Sequence, residues 1–202
     1  MASETPRNPA NDHLLTPKNS ALIIIDYQPV QVGSIASMER QTLVTNIVSV
    51  ARTAKLYGLP IVLSTVNVKT GKNQPTIHQI KEILPETPEI DRTSINAWED
   101  QEFVAAVKKT GRKKLLMTAL WTEACLTFPA LDAIREGFEV YPIVDAVGGT
   151  SVEAHRAALT RVTQAGAIPI SWVQLICELQ RDWNREASVP DFGKILFSVV
   201  GR

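Results

Sequence analysis

A chain of 202 residues with 45% hydrophobic residues can bury one large core and is short for two. Its 21 lysines and arginines balance 21 aspartates and glutamates, so no net field draws it to nucleic acid or to an anionic membrane, and small-molecule or protein partners are expected. Two cysteines, Cys125 and Cys177, lie far apart and outside any CxxC spacing, which excludes a disulfide framework and a zinc site.

Residues 1–15 are polar, with Pro6 and Pro9, and read as a disordered arm ahead of a single domain over 16–202. With no apolar leader and no run of membrane-spanning length, the expected location is the cytoplasm. The continuous run Ser20-Ala-Leu-Ile-Ile-Ile suits a strand covered on both faces and leaves Asp26 at its carboxyl end. Leu43, Ile47, Val50 and Ala54 recur at helical spacing between Gln41 and Tyr57, and Gly58 stops that helix. Pro60 to Val66 reads as the second strand, 67–75 as a polar loop, Thr76 to Leu84 as a short helix, and Glu89 to Arg92 as a weak edge strand. Glu99-Asp-Gln-Glu102 opens a helix that runs to Thr110. The cations at its end (Lys108, Lys109, Arg112, Lys113 and Lys114) read as solvated compensation of the helix C-terminus in preference to an anion site.

Leu115 to Leu120 then reads as a buried strand, followed by Trp121-Thr-Glu-Ala-Cys125 and a helical pattern ended by Gly137. A cysteine on the turn between strand and helix lies where outward N–H groups and the helix dipole favour a thiolate. Pro129 sits inside that helix if it starts near Thr122, so a distorted first turn is expected. Glu139 to Val144 is a strand, 145–150 a loop, Ser151 to Ala165 a helix capped by Ser151, Ile168 to Val173 the last strand, and Leu175 to Arg185 the helix after it. Six strands alternating with helices imply right-handed βαβ units and a three-layer α/β/α sandwich, doubly wound around a mostly parallel sheet. The apolar tail over 186–202, with Phe192, Ile195, Leu196 and Phe197, packs on its own domain or on a neighbouring subunit.

Active sites of open α/β sheets lie beyond the carboxyl ends of the strands, where Asp26, Arg92, Cys125 and Asp145 all fall. A thiol titrating near about 8.5 needs a base to take its proton or a cation to hold its anion, and an acid and a guanidinium are at hand. No GxGxxG or GxxxxGK[ST] occurs, and Gly148-Gly149 reads as a turn, so no nucleotide cofactor is expected. His13, His78 and His155 are scattered, so no metal is expected either, with His78 kept as a remote pocket candidate.

Four segments, Ile25-Asp26-Tyr27-Gln28, Arg92-Thr-Ser-Ile-Asn96-Ala97-Trp98, Leu120-Trp121-Thr122-Glu123-Ala124-Cys125 and Glu178-Leu-Gln-Arg-Asp-Trp183, together resemble the isochorismatase-like cysteine hydrolases, the superfamily of nicotinamidase and N-carbamoylsarcosine amidohydrolase, and most closely its YcaC-type branch. The resemblance implies a six-stranded sheet and a catalytic triad with Asp26 as general base, Cys125 as nucleophile and Arg92 where the family has lysine. It also implies a cis peptide joining Leu120 to Trp121, an oxyanion hole made by the N–H groups of Trp121 and Cys125, and a ring-like homo-oligomer, an octamer being the size entertained. Gln28, Asn96, Trp98 and Thr122 are the expected pocket residues. The Asp/His metal cluster of nicotinamidases has no counterpart in Thr65-Val-Asn-Val-Lys69. Arg92 keeps its charge and cannot relay a proton, but its fork could grip a substrate anion. The implied activity is hydrolysis of a small amide or related C–N compound through a thioester. The alternative is a catalytically silent oligomeric scaffold or binding protein. A true isochorismatase acting on a vinyl ether has no need of the cysteine.

Overall fold

The computed structural model describes residues 7–199. In chain order its elements are β1 (Ser20–Ile25), α1 (Pro29–Gly33), α2 (Arg40–Leu56), β2 (Ile61–Val66), α3 (His78–Lys81), β3 (Glu89–Arg92), α4 (Gln101–Lys109), β4 (Lys114–Ala119), α5 (Thr127–Arg135), β5 (Glu139–Pro142), α6 (Val152–Gln164), α7 (Trp172–Gln180) and α8 (Val189–Phe197). The strands form one parallel sheet in the order β3-β2-β1-β4-β5. The chain runs outward from β1 through β2 to β3, then returns to the other side for β4 and β5. That reversal opens a crevice at the carboxyl ends of β1 and β4, where Ile25 lies opposite Ala119.

Alternation along β1 builds two cores. Leu22 and Ile24 face α2, α7 and α8 together with Leu63 and Leu116, while Ala21, Ile23 and Ile25 face α4 and α5 together with Leu115 and Met117. Helix α2 buries Leu43, Ile47, Val50, Ala51 and Ala54 on one stripe, which explains its spacing. Helix α8 lays Phe192, Ile195 and Leu196 on the same core and leaves Phe197 exposed.

Three expectations are corrected. The sheet has five strands, because the segment expected as a sixth is held by a single parallel bridge between Ile143 and Ile170 and a bond from the Ile168 N–H to the Val140 carbonyl at 2.8 Å, too little for a strand. Pro169 has no N–H to donate, and the Ser171 side chain caps α7 through the Gln174 N–H, so the chain turns helical at Trp172. The expected disordered arm is packed from Arg7 onward, and residues 1–6 lie outside the described ones. Asp12 is buried and pairs with Arg7 at 3.1 Å and Arg181 at 3.3 Å, while Leu15 enters the core. Lys114, read as a solvated cation, is buried instead, its ammonium donating to the carbonyls of Asp12, His13 and Leu14 at 2.9, 2.6 and 3.3 Å. A Lys head with three donors and no acceptor suits three converging carbonyls.

Burial works against the Asp12 charge, but the Leu14 N–H, Arg181 and Arg7 prevail and hold its carboxyl below the ordinary range. A carboxyl with a lowered folded pKa stabilises the fold above the unfolded value, and that contribution is lost as pH falls through the folded one. We therefore expect protection of the Leu14 amide, which donates to Asp12 Oδ1 at 3.0 Å, to fall on acidification below about pH 4 when followed by hydrogen exchange, and Asp12→Asn to remove that step.

Candidate active site

β1 ends where Asp26 takes a left-handed backbone angle, φ 62°, and its N–H still donates to the Ser64 carbonyl of β2 at 2.9 Å. This turn frees the carboxylate from the sheet while holding its backbone in register. Asp26 meets Arg92 from the end of β3, across the width of β2. The guanidinium donates Nη1 to Oδ1 and Nη2 to Oδ2, both at 2.8 Å, and both side chains are fully buried. The remaining Nη protons reach Ser64 Oγ at 3.2 Å, the Thr65 carbonyl at 3.0 Å and the Ile95 carbonyl at 3.3 Å. Burial opposes the guanidinium charge. The bonds and charge of Asp26, with Cys125 and Asp100 behind them, outweigh it and hold the Arg92 pKa above its ordinary value. The fork is thus closed on Asp26, and the expected bidentate grip on a substrate anion is not open to Arg92.

The turn that carries Cys125 begins at a cis peptide between Leu120 and Trp121. It continues as one widened turn over Thr122–Leu126, in which the Leu126 N–H reaches back five residues to the Trp121 carbonyl at 3.2 Å, before α5 starts at Thr127. Such π-helical turns recur at functional sites. The distortion expected ahead of Pro129 takes this form, and Pro129 falls in the first turn of α5, where a missing N–H is tolerated. Cys125 is 8% exposed. Burial, the charge of Asp26 and a hydrogen bond to it push the Cys125 thiol up to about 12, against the pull of Arg92 and of the Trp121 N–H beside the sulfur. Acid, guanidinium and thiol therefore share one crevice.

The other expected residues serve this frame. Gln28 is buried, with its amide donating to the Val66 and Gln74 carbonyls at 3.0 and 2.6 Å and accepting from the Val66 N–H at 3.0 Å, so it pins the 67–75 loop. Asn96 caps the 3₁₀ turn Ala97–Glu99 through the Trp98 N–H and donates to Asp132 of α5 at 2.7 Å. Trp98 packs edge-on against Phe103 and Phe138 and donates to Glu136 at 2.8 Å, a core position between α4 and α5. Thr122 is buried, its hydroxyl 2.9 Å from His155 Nδ1 and its N–H on the Gly148 carbonyl at 2.9 Å. Trp121 donates its indole N–H to Ser34 Oγ at 2.7 Å. Asp145 caps α7, accepting from the Trp172 N–H at 2.9 Å, and stands apart from the thiol's charged partners. Among the described residues no group of three or more His, Cys, Asp or Glu is placed to hold a metal ion.

Sequence reasoning passed over three supports. Ser64 bridges the Arg92 guanidinium to the Ile90 carbonyl. Asp91 accepts from the N–H groups of Val68 and Lys69 and from the Thr65 hydroxyl, closing the loop that Gln28 holds from its other side. Glu123, within the Cys125 turn, accepts from the Thr150 N–H at 2.9 Å and from its hydroxyl at 2.6 Å. Gly149 leaves room for this contact, since a Cβ there would meet Glu123 Oε2 at 2.6 Å and His155 Cβ and N at 3.1 and 3.2 Å. Gly149→Ala should cost about 1–3 kcal/mol in urea unfolding, as overpacking does, and slow alkylation of Cys125. An unchanged midpoint and unchanged labelling would show that the 148–150 loop does not brace the turn.

A doubly wound parallel sheet that gathers an acid, a guanidinium and a thiol at its switch point has the build of the isochorismatase-like class. The family model described as Isochorismatase domain matches residues 20–174. The chain is 34% identical over 194 residues to the probable hydrolase YcaC of Escherichia coli (strain K12), covering 91% of this chain and 93% of that one. Among solved structures, YcaC from Pseudomonas aeruginosa with hexane-2,5-diol and covalent acrylamide superimposes with a TM-score of 0.82 at 32% identity, covering 92% of this chain and 96% of the other. The Escherichia coli YcaC gene product, described as an octameric hydrolase of unknown specificity, gives 0.82 at 34% identity, covering 93% and 96%. The chain belongs to the isochorismatase family of hydrolases and is YcaC-like within it.

Proposed function

We propose that the chain hydrolyses a C–N bond of a small amide or related compound through a thioester on Cys125. The observation that carries this reading is the Cys125 thiol set against the charge of an Asp26 carboxylate that Arg92 holds with two bonds. A thiol pushed up to about 12 is protonated at neutral pH, so attack needs a base in contact with it. Asp26 takes the proton as the sulfur adds to the carbonyl carbon, and the N–H groups of Trp121 and Cys125 receive the oxyanion. Asp26 returns that proton to the nitrogen as the C–N bond breaks and the amine leaves. Water then attacks the thioester with Asp26 again taking a proton, the C–S bond breaks, and the sulfur recovers the proton as the acid departs. Gln28, Asn96, Trp98 and Thr122 keep the walls in place without touching substrate. The covalent acrylamide in the Pseudomonas aeruginosa YcaC is itself a small amide, in keeping with such a site.

A second reading, a silent scaffold of the same fold, is favoured by one observation: the guanidinium fork is closed on Asp26 and the resting thiol is protonated. Incubation with a panel of small amides, ureas and carbamates, with acid quenching and peptide mass analysis, separates the two. Hydrolysis with a transient acyl adduct on the Cys125 peptide, both lost in Cys125→Ser, is the expected result; no turnover and no adduct across the panel would leave the scaffold.

We also assign the chain a homo-oligomeric state, since Trp183 and Phe197 expose large apolar surface on the α7 and α8 side. Light scattering should give a mass several times that of the monomer, as for the octameric relative. A cytoplasmic setting would keep the free thiols of Cys125 and Cys177 reduced. Among the described residues no helix is long and apolar enough to cross a membrane.

A further inference from the structure

The charge at the crevice says which substrates enter it. Arg92 is the cation that acts on the Cys125 sulfur, and it is 3% exposed with its end-on fork closed on Asp26. Of its side edge, which Nη2 and Nε share by the geometry of a guanidinium, the Nη2 proton goes to the Ile95 carbonyl at 3.3 Å. The Nε–H remains, buried and without a partner. A carboxylate is gripped by two parallel donors on a cation whose charge is free, and neither is offered here. A single neutral oxygen, such as the carbonyl of an amide or the oxygen of a water, is what one N–H can satisfy. Asp100 adds a further negative charge behind Arg92. The segments that leave the carboxyl ends of β1 and β3 carry exposed apolar side chains, Val30 at 57% and Ile95 at 65%. The Ile95 carbonyl touches Arg92, so the backbone that carries this exposed side chain borders the acid–guanidinium pair.

We propose that this site selects small uncharged carbonyl compounds, with an apolar portion at Ile95 and Val30, and excludes carboxylates. The inference rests on the thiol-nucleophile reading above and names its substrate class. An anion approaching the sulfur meets the charge of Asp26, which outweighs the opposing pull of Arg92 there, and at an effective dielectric near 20 the part of that repulsion left uncancelled is worth about tenfold in rate.

The test uses the whole protein and two alkylating reagents of nearly equal size and the same leaving group, neutral iodoacetamide and anionic iodoacetate. Labelling of Cys125 and of the exposed Cys177 is followed in the same sample by peptide mass analysis, so Cys177 serves as the internal reference. The expected preference for iodoacetamide at Cys125 is about tenfold or more above that at Cys177. Ile95→Lys, which places a cation at the rim without touching the core, should lower that preference several-fold. A preference at Cys125 equal to that at Cys177, or one that Ile95→Lys leaves unmoved, overturns the charge selection and leaves the nucleophile reading intact. Failure of both reagents to label Cys125, while Cys177 reacts, overturns the nucleophile reading and this inference with it.

Discussion

Arg92→Met should lower the unfolding free energy by about 3–5 kcal/mol, because it leaves the Asp26 carboxylate buried without its partner. Asp26→Leu should cost a comparable amount, since the guanidinium then keeps only hydroxyl and carbonyl acceptors. Joined in one chain, the two changes should cost less than their sum by at least about 2 kcal/mol. Each single variant isolates a charge, whereas the double variant isolates none. The recovery should be incomplete, because the Thr65 and Ile95 carbonyls would lose the donor they now share. Urea unfolding of the four proteins measures this. Additive costs would mean that the fork is a contact of convenience and not the tie between the ends of β1 and β3.

Asp26→Asn should slow alkylation of Cys125 by iodoacetamide at pH 7 by about 10²-fold or more, the ordinary worth of a general base. Two effects of opposite sign are at work. Losing the carboxylate removes the group that takes the thiol proton, yet it also removes a charge and a hydrogen bond that hold that thiol up at about 12. The variant thiol therefore ionises at lower pH than the wild-type one, and its rate should rise tenfold per pH unit in alkali and overtake the wild type. The two profiles should cross, while Cys177 labels alike in both proteins. A variant that is faster at every pH would show that Asp26 only burdens the sulfur, and the hydrolytic mechanism would fail with it.

Parts of this molecule are legible along the chain because they depend on near neighbours. The continuous apolar runs of β1 and β4 are covered on both faces, and their composition shows it before any partner is known. Ser151 caps α6 where a Ser before a helical pattern should, through the Ala154 N–H. Misreadings fall where a distant partner decides. Lys114 closes a run of cations and looks solvated until the 12–14 carbonyls arrive from about a hundred residues upstream. Gln28 looks like a free amide beside the acid until loop 67–75 closes on it.

The order of the five strands, the acid after β1, the thiol after β4 and the guanidinium ending β3 were all determined by sequence alone, since periodicity and turn chemistry are local properties. Tertiary structure decided what those groups do to one another. Parallel pairing in register brings three strand tips together, and only then does Arg92 close on Asp26 and Asp26 bear on Cys125. Charge and hydrogen bonding act through space at a few ångströms, a range that sequence separation does not report.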